Sequence, residues 1–211
     1  MVGACHQLAA DGLLIGTAGN VSVRVGDRVA VTATGAVLGE LTTDQVVEVD
    51  LAGNQAAGAL VPTSEVYLHL SIYEKYDPAA TAAVVHTHAP VSTAASISVS
   101  EIPVIHYQQL LLGGAIRVAP YATFGTPELA ARVVAALESR TAALMANHGS
   151  VAVGATLDKA VENALLLEWL CTVYRDALAL GKPATLSRKQ QEDVIAEAIA
   201  RNYGRVQNAG E

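Results

Sequence analysis

The chain has 211 residues, 52% of them hydrophobic and only 16% charged, which is enough apolar material for one buried core and little charge for a monomer that must solvate its whole surface. A net charge of -7 excludes the basic face that nucleic acid or an anionic membrane requires. Two cysteines, Cys5 and Cys171, make no disulfide framework, and neither a signal-like start nor a membrane-length apolar run is present, so the expectation is one domain over 1–211, oligomeric and cytoplasmic.

Residues 4–14 pattern as a short amphipathic helix, followed by a loop of turn formers, Gly16-Thr17-Ala18-Gly19-Asn20. Three strands follow at Val21–Val25, Arg28–Ala33 and Val46–Leu51, each rich in alternating β-branched residues, with Gly26-Asp27 as the hairpin turn between the first two. Pro62-Thr63-Ser64-Glu65 is a helix-start signal: proline stiffens the entry, the hydroxyls can cap, and a carboxylate favours the positive end of the dipole. That helix runs to about Tyr76. Ala82–His86 reads as a buried strand, Pro90–Ser98 as a helix and Val104–Tyr107 as an extended piece. A helix is expected over 127–139, and two strands, Ala142–Ala146 and Ser150–Val153, flank Asn147-His148-Gly149. The periodic stretch 157–180 is a long helix stopped by Gly181 and Pro183, and Ser187 caps a last helix before the Tyr203-Gly204 tail. Strand clusters flanked by helices point to an α/β sandwich rather than a bundle, and the hairpins among them argue against an all-parallel sheet.

His86-Thr87-His88 closes an apolar strand, and residues two apart on a strand share a face, so both imidazoles can converge on one ion. Taken alone this pair is equally a solvated strand end. His148, in a second strand-end loop where Gly149 permits a sharp turn, supplies a third ring. Three neutral imidazoles with a fourth position open describe a catalytic zinc site better than a closed structural one, which would call for cysteines. Glu65 has two readings, a helix cap or a carboxylate that completes the metal shell and then moves a proton. His69, four residues on and on the same helical face, is either a core histidine or a support for the site. His106 reads as structural, as do Leu112-Gly113-Gly114, a turn, and the apolar face around Trp169. Lys75, Lys159, Lys182 and Lys189 stand in polar or helix-end contexts, which leaves no candidate for Schiff-base chemistry.

Five runs in order, Thr17-Ala18-Gly19-Asn20-Val21-Ser22, Thr32-Ala33-Thr34-Gly35, Pro62-Thr63-Ser64-Glu65, His86-Thr87-His88 and Asn147-His148-Gly149, together resemble the class II aldolase/adducin family. Ile105-His106-Tyr107, Pro120 to Thr126 and Asn202-Tyr203-Gly204 are most similar to its bacterial L-fuculose-1-phosphate aldolase subgroup. The resemblance implies a three-layer α/β/α sandwich with a central mixed, largely antiparallel sheet, a cyclic homotetramer with active sites at subunit interfaces, and one Zn²⁺ per subunit on His86, His88 and His148. It makes Glu65 first a metal ligand and then the acid/base. Asn20, Thr34, Gly35, Thr63 and Ser64 are implied to hold the substrate phosphate. Tyr107 from a neighbouring subunit and Tyr203 on the tail are implied to be catalytic. Thr63 stands where serine is common in the family, which keeps the hydroxyl donor, while Gln108, Gln109 and Leu110 differ from the fuculose enzymes and leave the sugar open.

A phosphate held by hydroxyls, an amide and backbone N–H groups needs no lysine, which reconciles an acidic chain with a sugar-phosphate substrate. The expected reaction is reversible cleavage of a ketose 1-phosphate to dihydroxyacetone phosphate and an aldehyde. The rival readings are a sugar-phosphate 4-epimerase or methylthioribulose-phosphate dehydratase on the same fold, and a non-enzymatic adducin-like interaction module. The epimerases of this family place aspartate where Glu65 stands, and the non-enzymatic modules lack the histidines.

Overall fold

A computed structural model describes residues 1–55, 58 and 60–204; of the expected domain, residues 56, 57, 59 and 205–211 lie outside this set. The chain order is α1 (Val2–Ala10), β1 (Asn20–Val25), β2 (Arg28–Thr32), β3 (Val46–Asp50), α2 (Val66–Lys75), β4 (Ala83–Thr87), α3 (Pro90–Ser98), β5 (Glu101–Ile102), β6 (Ile116–Ala119), α4 (Pro127–Ala136), β7 (Ala142–Met145), β8 (Gly149–Gly154), α5 (Leu157–Leu180) and α6 (Arg188–Ala200). The eight strands form one sheet in the order β3-β2-β1-β4-β8-β7-β6-β5, and every pairing is antiparallel except β6 with β7. The expected mixed, largely antiparallel sheet between helical layers is therefore what the chain builds.

Side-chain alternation assigns the layers. In β4, Val85 joins the apolar cluster of α1 and α5, including Cys5, Leu8, Leu167 and Cys171, while Val84 joins the cluster of α2 and α4, including Leu68, Ile72, Leu129 and Val133. Both faces of β4 are buried, which explains its unbroken apolar run. Cys5 and Cys171 are both free thiols in the first of these layers.

Some expectations shift. The first helix ends at Ala10 because Asp11-Gly12 breaks it, with Gly12 at a φ of 76°. The extended piece expected at 104–107 stops short of Tyr107, which opens a 3-10 helix, Tyr107–Leu112, with the His106 ring accepting the Gln108 N–H. Two strands had no sequence signal: β5 has only two residues, and β6 pairs in parallel with β7, a contact no local turn announces. Among the described residues no helix is long and apolar enough to cross a membrane.

Candidate functional site

β1 and β4 are central neighbours, and their register sets Asn20 opposite His86 and Ser22 opposite Val84. Cross-strand partners share a face, so all four point toward the α2 layer. β4 also pairs with β8, placing Thr87 opposite Ser150 at the point where the β7–β8 turn carries His148. That turn is tight: His148 N–H donates to the Met145 carbonyl at 3.1 Å, and Asn147 adopts a left-handed φ of 55°. Gly149 follows because a Cβ there would lie 2.4 Å from the Thr87 carbonyl oxygen, a backbone atom that cannot yield. The glycine thus lets the two histidine-bearing strand ends close on each other.

Glu65 sits at the N-cap position of α2 but makes no capping bond with its side chain. Thr63 does local work instead, its Oγ1 accepting the Glu65 N–H at 3.3 Å. The freed carboxylate turns into the cluster, with Oε2 3.0 Å from His86 Nε2 and Oε1 3.4 Å from His148 Nε2. His88 Nε2 lies 2.9 Å from His86 Nε2. One ligand atom from each of Glu65, His86, His88 and His148 falls within 4.8 Å of the others, a spacing suited to one shared ion.

The electrostatics of the four follow from their burial. Burial raises the Glu65 carboxyl, but the charge and hydrogen bond of His86, the charge of His148 and the Asn20 amide outweigh it and hold the group well below the carboxylate range. Burial opposes charge on His86, while Glu65 and the Ser150 carbonyl favour it, and the net shift is upward. His88 is pushed down to about 4 by burial and by the charges of its two neighbouring rings, and His148 is lowered by burial first and then by the charge of His86.

Two features show that these residues fit a divalent cation. The His86 Nδ1–H donates to the Ser150 carbonyl at 2.8 Å, which fixes the ring and leaves Nε2 to offer its lone pair when the ring is neutral. Glu65 Oε1 is buried without a hydrogen-bond partner, an arrangement that costs about 1–3 kcal/mol or more for a charged acceptor unless a cation answers it.

The site opens into a cavity of about 460 Å³. Asn20, Thr34, Gly35, Thr63 and Ser64, the five residues implied to bind phosphate, all line it together with Glu65, His88 and His148. His86 is buried behind this wall. Tyr107 and Tyr203 are not part of the cavity. They meet each other elsewhere, hydroxyl to hydroxyl at 3.0 Å, and each keeps more than two-fifths of its surface exposed. Tyr121 and Phe124 also line the cavity, both exposed; their signal in the sequence was two aromatics in a loop bearing Pro120 and Gly125. His106 packs against Tyr107 and Trp169.

Comparison with known proteins decides the family. Residues 1–175 match the description Class II Aldolase and Adducin N-terminal domain. The chain belongs to the class II aldolase/adducin family. Among class II relatives, a 5-methylthioribulose-1-phosphate/5-deoxyribulose-1-phosphate aldolase of Rhodospirillum rubrum is 39% identical over 197 residues, covering 92% of this chain and 87% of that one. An L-fuculose phosphate aldolase of Escherichia coli is 40% identical over 205 residues, covering 97% and 94%. A solved L-fuculose 1-phosphate aldolase superposes with a TM-score of 0.88 at 32% identity, covering 93% of this chain and 92% of the other. Membership of the class II aldolase family and the cluster of one glutamate and three histidines together support a divalent metal site.

Proposed function

We propose that the protein is a zinc-dependent aldehyde-lyase that reversibly cleaves a ketose 1-phosphate to dihydroxyacetone phosphate and an aldehyde. The observation that carries this reading is that the Glu65–histidine cluster and the neutral donors of Asn20, Thr34, Gly35, Thr63 and Ser64 open into one cavity. The names of the relatives support it, since those relatives are aldolases for phosphorylated deoxy-sugars and pentuloses.

In this reading His86, His88 and His148 hold the metal, with Glu65 as the fourth ligand before substrate arrives. Imidazole donors suit zinc, whereas magnesium or calcium would favour an all-oxygen shell. A bound divalent cation would polarise the substrate oxygens and stabilise the negative charge left by carbon–carbon cleavage. Asn20, Thr63 and Ser64, with the Thr34-Gly35 turn, orient the phosphate. Glu65, a carboxylate in the empty site, takes up a proton from a substrate hydroxyl and delivers it to the substrate carbon from which the aldehyde has departed. Its position between Asn20 and two histidines fixes its direction of approach. Tyr107 from a neighbouring subunit and Tyr203 on the tail handle the proton at the aldehyde oxygen, and that neither lines Glu65's cavity within one chain supports their delivery across an interface. The accompanying expectations are a single domain over the chain, a cytoplasmic homotetramer, and no nucleic-acid or membrane partner.

A coupled assay for dihydroxyacetone phosphate release tests the reading over fuculose, ribulose, xylulose and 5-deoxypentulose 1-phosphates. Release from at least one, lost on zinc removal and restored by zinc, is expected. An isomeric or dehydrated sugar phosphate without dihydroxyacetone phosphate would instead assign the chain to an epimerase or dehydratase reaction.

A further inference from the structure

Glu65, His69 and Tyr73 recur at every fourth position, and that spacing stacks them along one face of α2. Asn20 and Ser22, two apart on β1, face them. The two rows interlock. Asn20 Nδ2 donates to Glu65 Oε2 at 3.0 Å, and Asn20 Oδ1 lies 2.5 Å from His69 Nε2. Ser22 Oγ lies 2.6 Å from His69 Nδ1 and 2.7 Å from the Tyr73 hydroxyl. His69 and Ser22 have no solvent exposure at all, and Tyr73 has almost none.

The chemistry of each atom fixes the direction of every proton. A carboxylate only accepts, so the amide nitrogen of Asn20 must face Glu65 and its oxygen must face His69. An amide oxygen also only accepts, so the proton of neutral His69 is on Nε2. Nδ1 then carries a lone pair and accepts the Ser22 hydroxyl proton. The Ser22 oxygen in turn accepts from Tyr73. All the donors point one way, from Tyr73 toward Glu65. Burial keeps the ring neutral, its pKa pushed down to about 3 chiefly by desolvation.

We propose that His69 is a positioning residue that acts through Asn20, its Nε2–H locking the carboxamide with the NH₂ group turned toward Glu65 and the cavity. A flipped Asn20 would set its oxygen against the Glu65 carboxylate, acceptor to acceptor, and withdraw its N–H groups from the cavity that Asn20 lines. The inference rests on the proposed roles of Glu65 in metal binding and proton transfer and of Asn20 in phosphate binding. It adds the device that aims them.

The test uses full-length wild type, His69→Leu and His69→Gln, since a glutamine amide can present an N–H where Nε2 stood. In ¹⁵N-histidine-labelled wild type, long-range ¹H–¹⁵N spectra are expected to show one neutral Nε2–H imidazole that is missing from the His69→Gln spectrum; an Nδ1–H tautomer for that ring overturns the proposal. Chelator competition is expected to show zinc bound about 10–100-fold more weakly by His69→Leu, the scale for losing a supporting partner, with His69→Gln restored to within a few-fold of wild type. Turnover per zinc-loaded site is expected to follow the same order. A His69→Leu protein that only melts earlier, with unchanged zinc affinity and unchanged kcat and KM per loaded site, assigns His69 to packing and overturns the proposal. Should the leucine variant not fold, the wild-type tautomer and the zinc affinity of His69→Gln still decide. Should wild type cleave no ketose phosphate, the functional reading fails while tautomer and zinc affinity judge His69 separately.

Discussion

The strand-end cluster and the Tyr107–Tyr203 pair are both rich in titratable side chains, yet the fold treats them in opposite ways. Glu65 and His86 are buried, and each is fixed by a partner on another element: the Asn20 amide for Glu65, the Ser150 carbonyl for His86. Tyr107 and Tyr203 are substantially exposed and share one hydroxyl contact across 96 residues of sequence. A group that binds a metal must be held before the metal arrives, and burial among paired neighbours does this. A group that acts in another subunit's site must stay presentable at the surface until subunits meet. The difference therefore teaches that one chain preorganises the Glu65–histidine cluster, while the roles proposed for Tyr107 and Tyr203 call for an assembly.

The largest expected effect removes the preorganised half. His88→Ala is expected to lower zinc affinity by more than the ~10–100-fold cost of losing a supporting partner, and to abolish turnover with it. Metal analysis after dialysis reads the outcome. A variant retaining stoichiometric zinc would place the metal elsewhere and break the comparison. Next in size is Glu65→Gln, which keeps the shape and the Asn20 contact region but cannot carry a proton. Its kcat is expected to fall by about 10²–10⁴-fold with the circular dichroism spectrum unchanged. Unchanged turnover would remove Glu65 from proton transfer.

A smaller effect tests the other half. If Tyr107 serves a neighbour's site, Glu65→Gln and Tyr107→Phe chains are each impaired, yet mixed assemblies complement each other. Refolded together in equal amounts, they are expected to recover about one quarter of wild-type turnover, the chance that a site in a cyclic assembly draws both intact residues. Recovery of nothing beyond the sum of the separate variants would confine Tyr107 to its own chain.

The preorganised half was also the more legible in sequence. Two histidines two apart on an apolar strand declare a shared face through local periodicity alone, and His148 beside Gly149 declares a turn. The helix of 157–180 and the Ser187 cap of α6 were equally local matters of periodicity and capping. What stayed hidden was non-local. Glu65 was ambiguous between cap and site because the deciding contacts, to Asn20 and to His86, come from other strands. The spacing of His69 from Glu65 was visible, but its bond to Asn20 spans 49 residues and needs the β1–β4 register to be known. β6 escaped for the same reason, being four residues whose partner is a parallel strand. The phosphate residues came from the resemblance, since Thr34-Gly35 and Thr63-Ser64 carry no chemistry that spacing alone distinguishes from ordinary turns.

The smallest effect separates the two halves by pH. His69 holds about 3 in the folded chain against an ordinary histidine value of 6.5, burial being the main cause. Below 6.5 the unfolded chain therefore binds a proton that the folded chain refuses, so this contribution to stability is fully present above pH 6.5 and falls as pH drops toward 3. Its slope cannot exceed about 1.4 kcal/mol per pH unit for one proton. Glutamine at this position does not titrate, so His69→Gln is expected to flatten the decline in metal-free protein between pH 6.5 and about 4, read from urea midpoints. His88 and His148, shifted downward, also lose stability in that window, Glu65 does so only below its ordinary value of 4.5, and His86, shifted upward, works the other way, so a slope remains in the variant. Tyr203→Phe is expected to leave the slope untouched, because the Tyr107–Tyr203 pair lies apart from the buried cluster. Equal slopes in wild type and His69→Gln would mean that the buried ring accepts its proton readily, and that the strand-end region is less closed to water than the exposed tyrosines make it look by contrast.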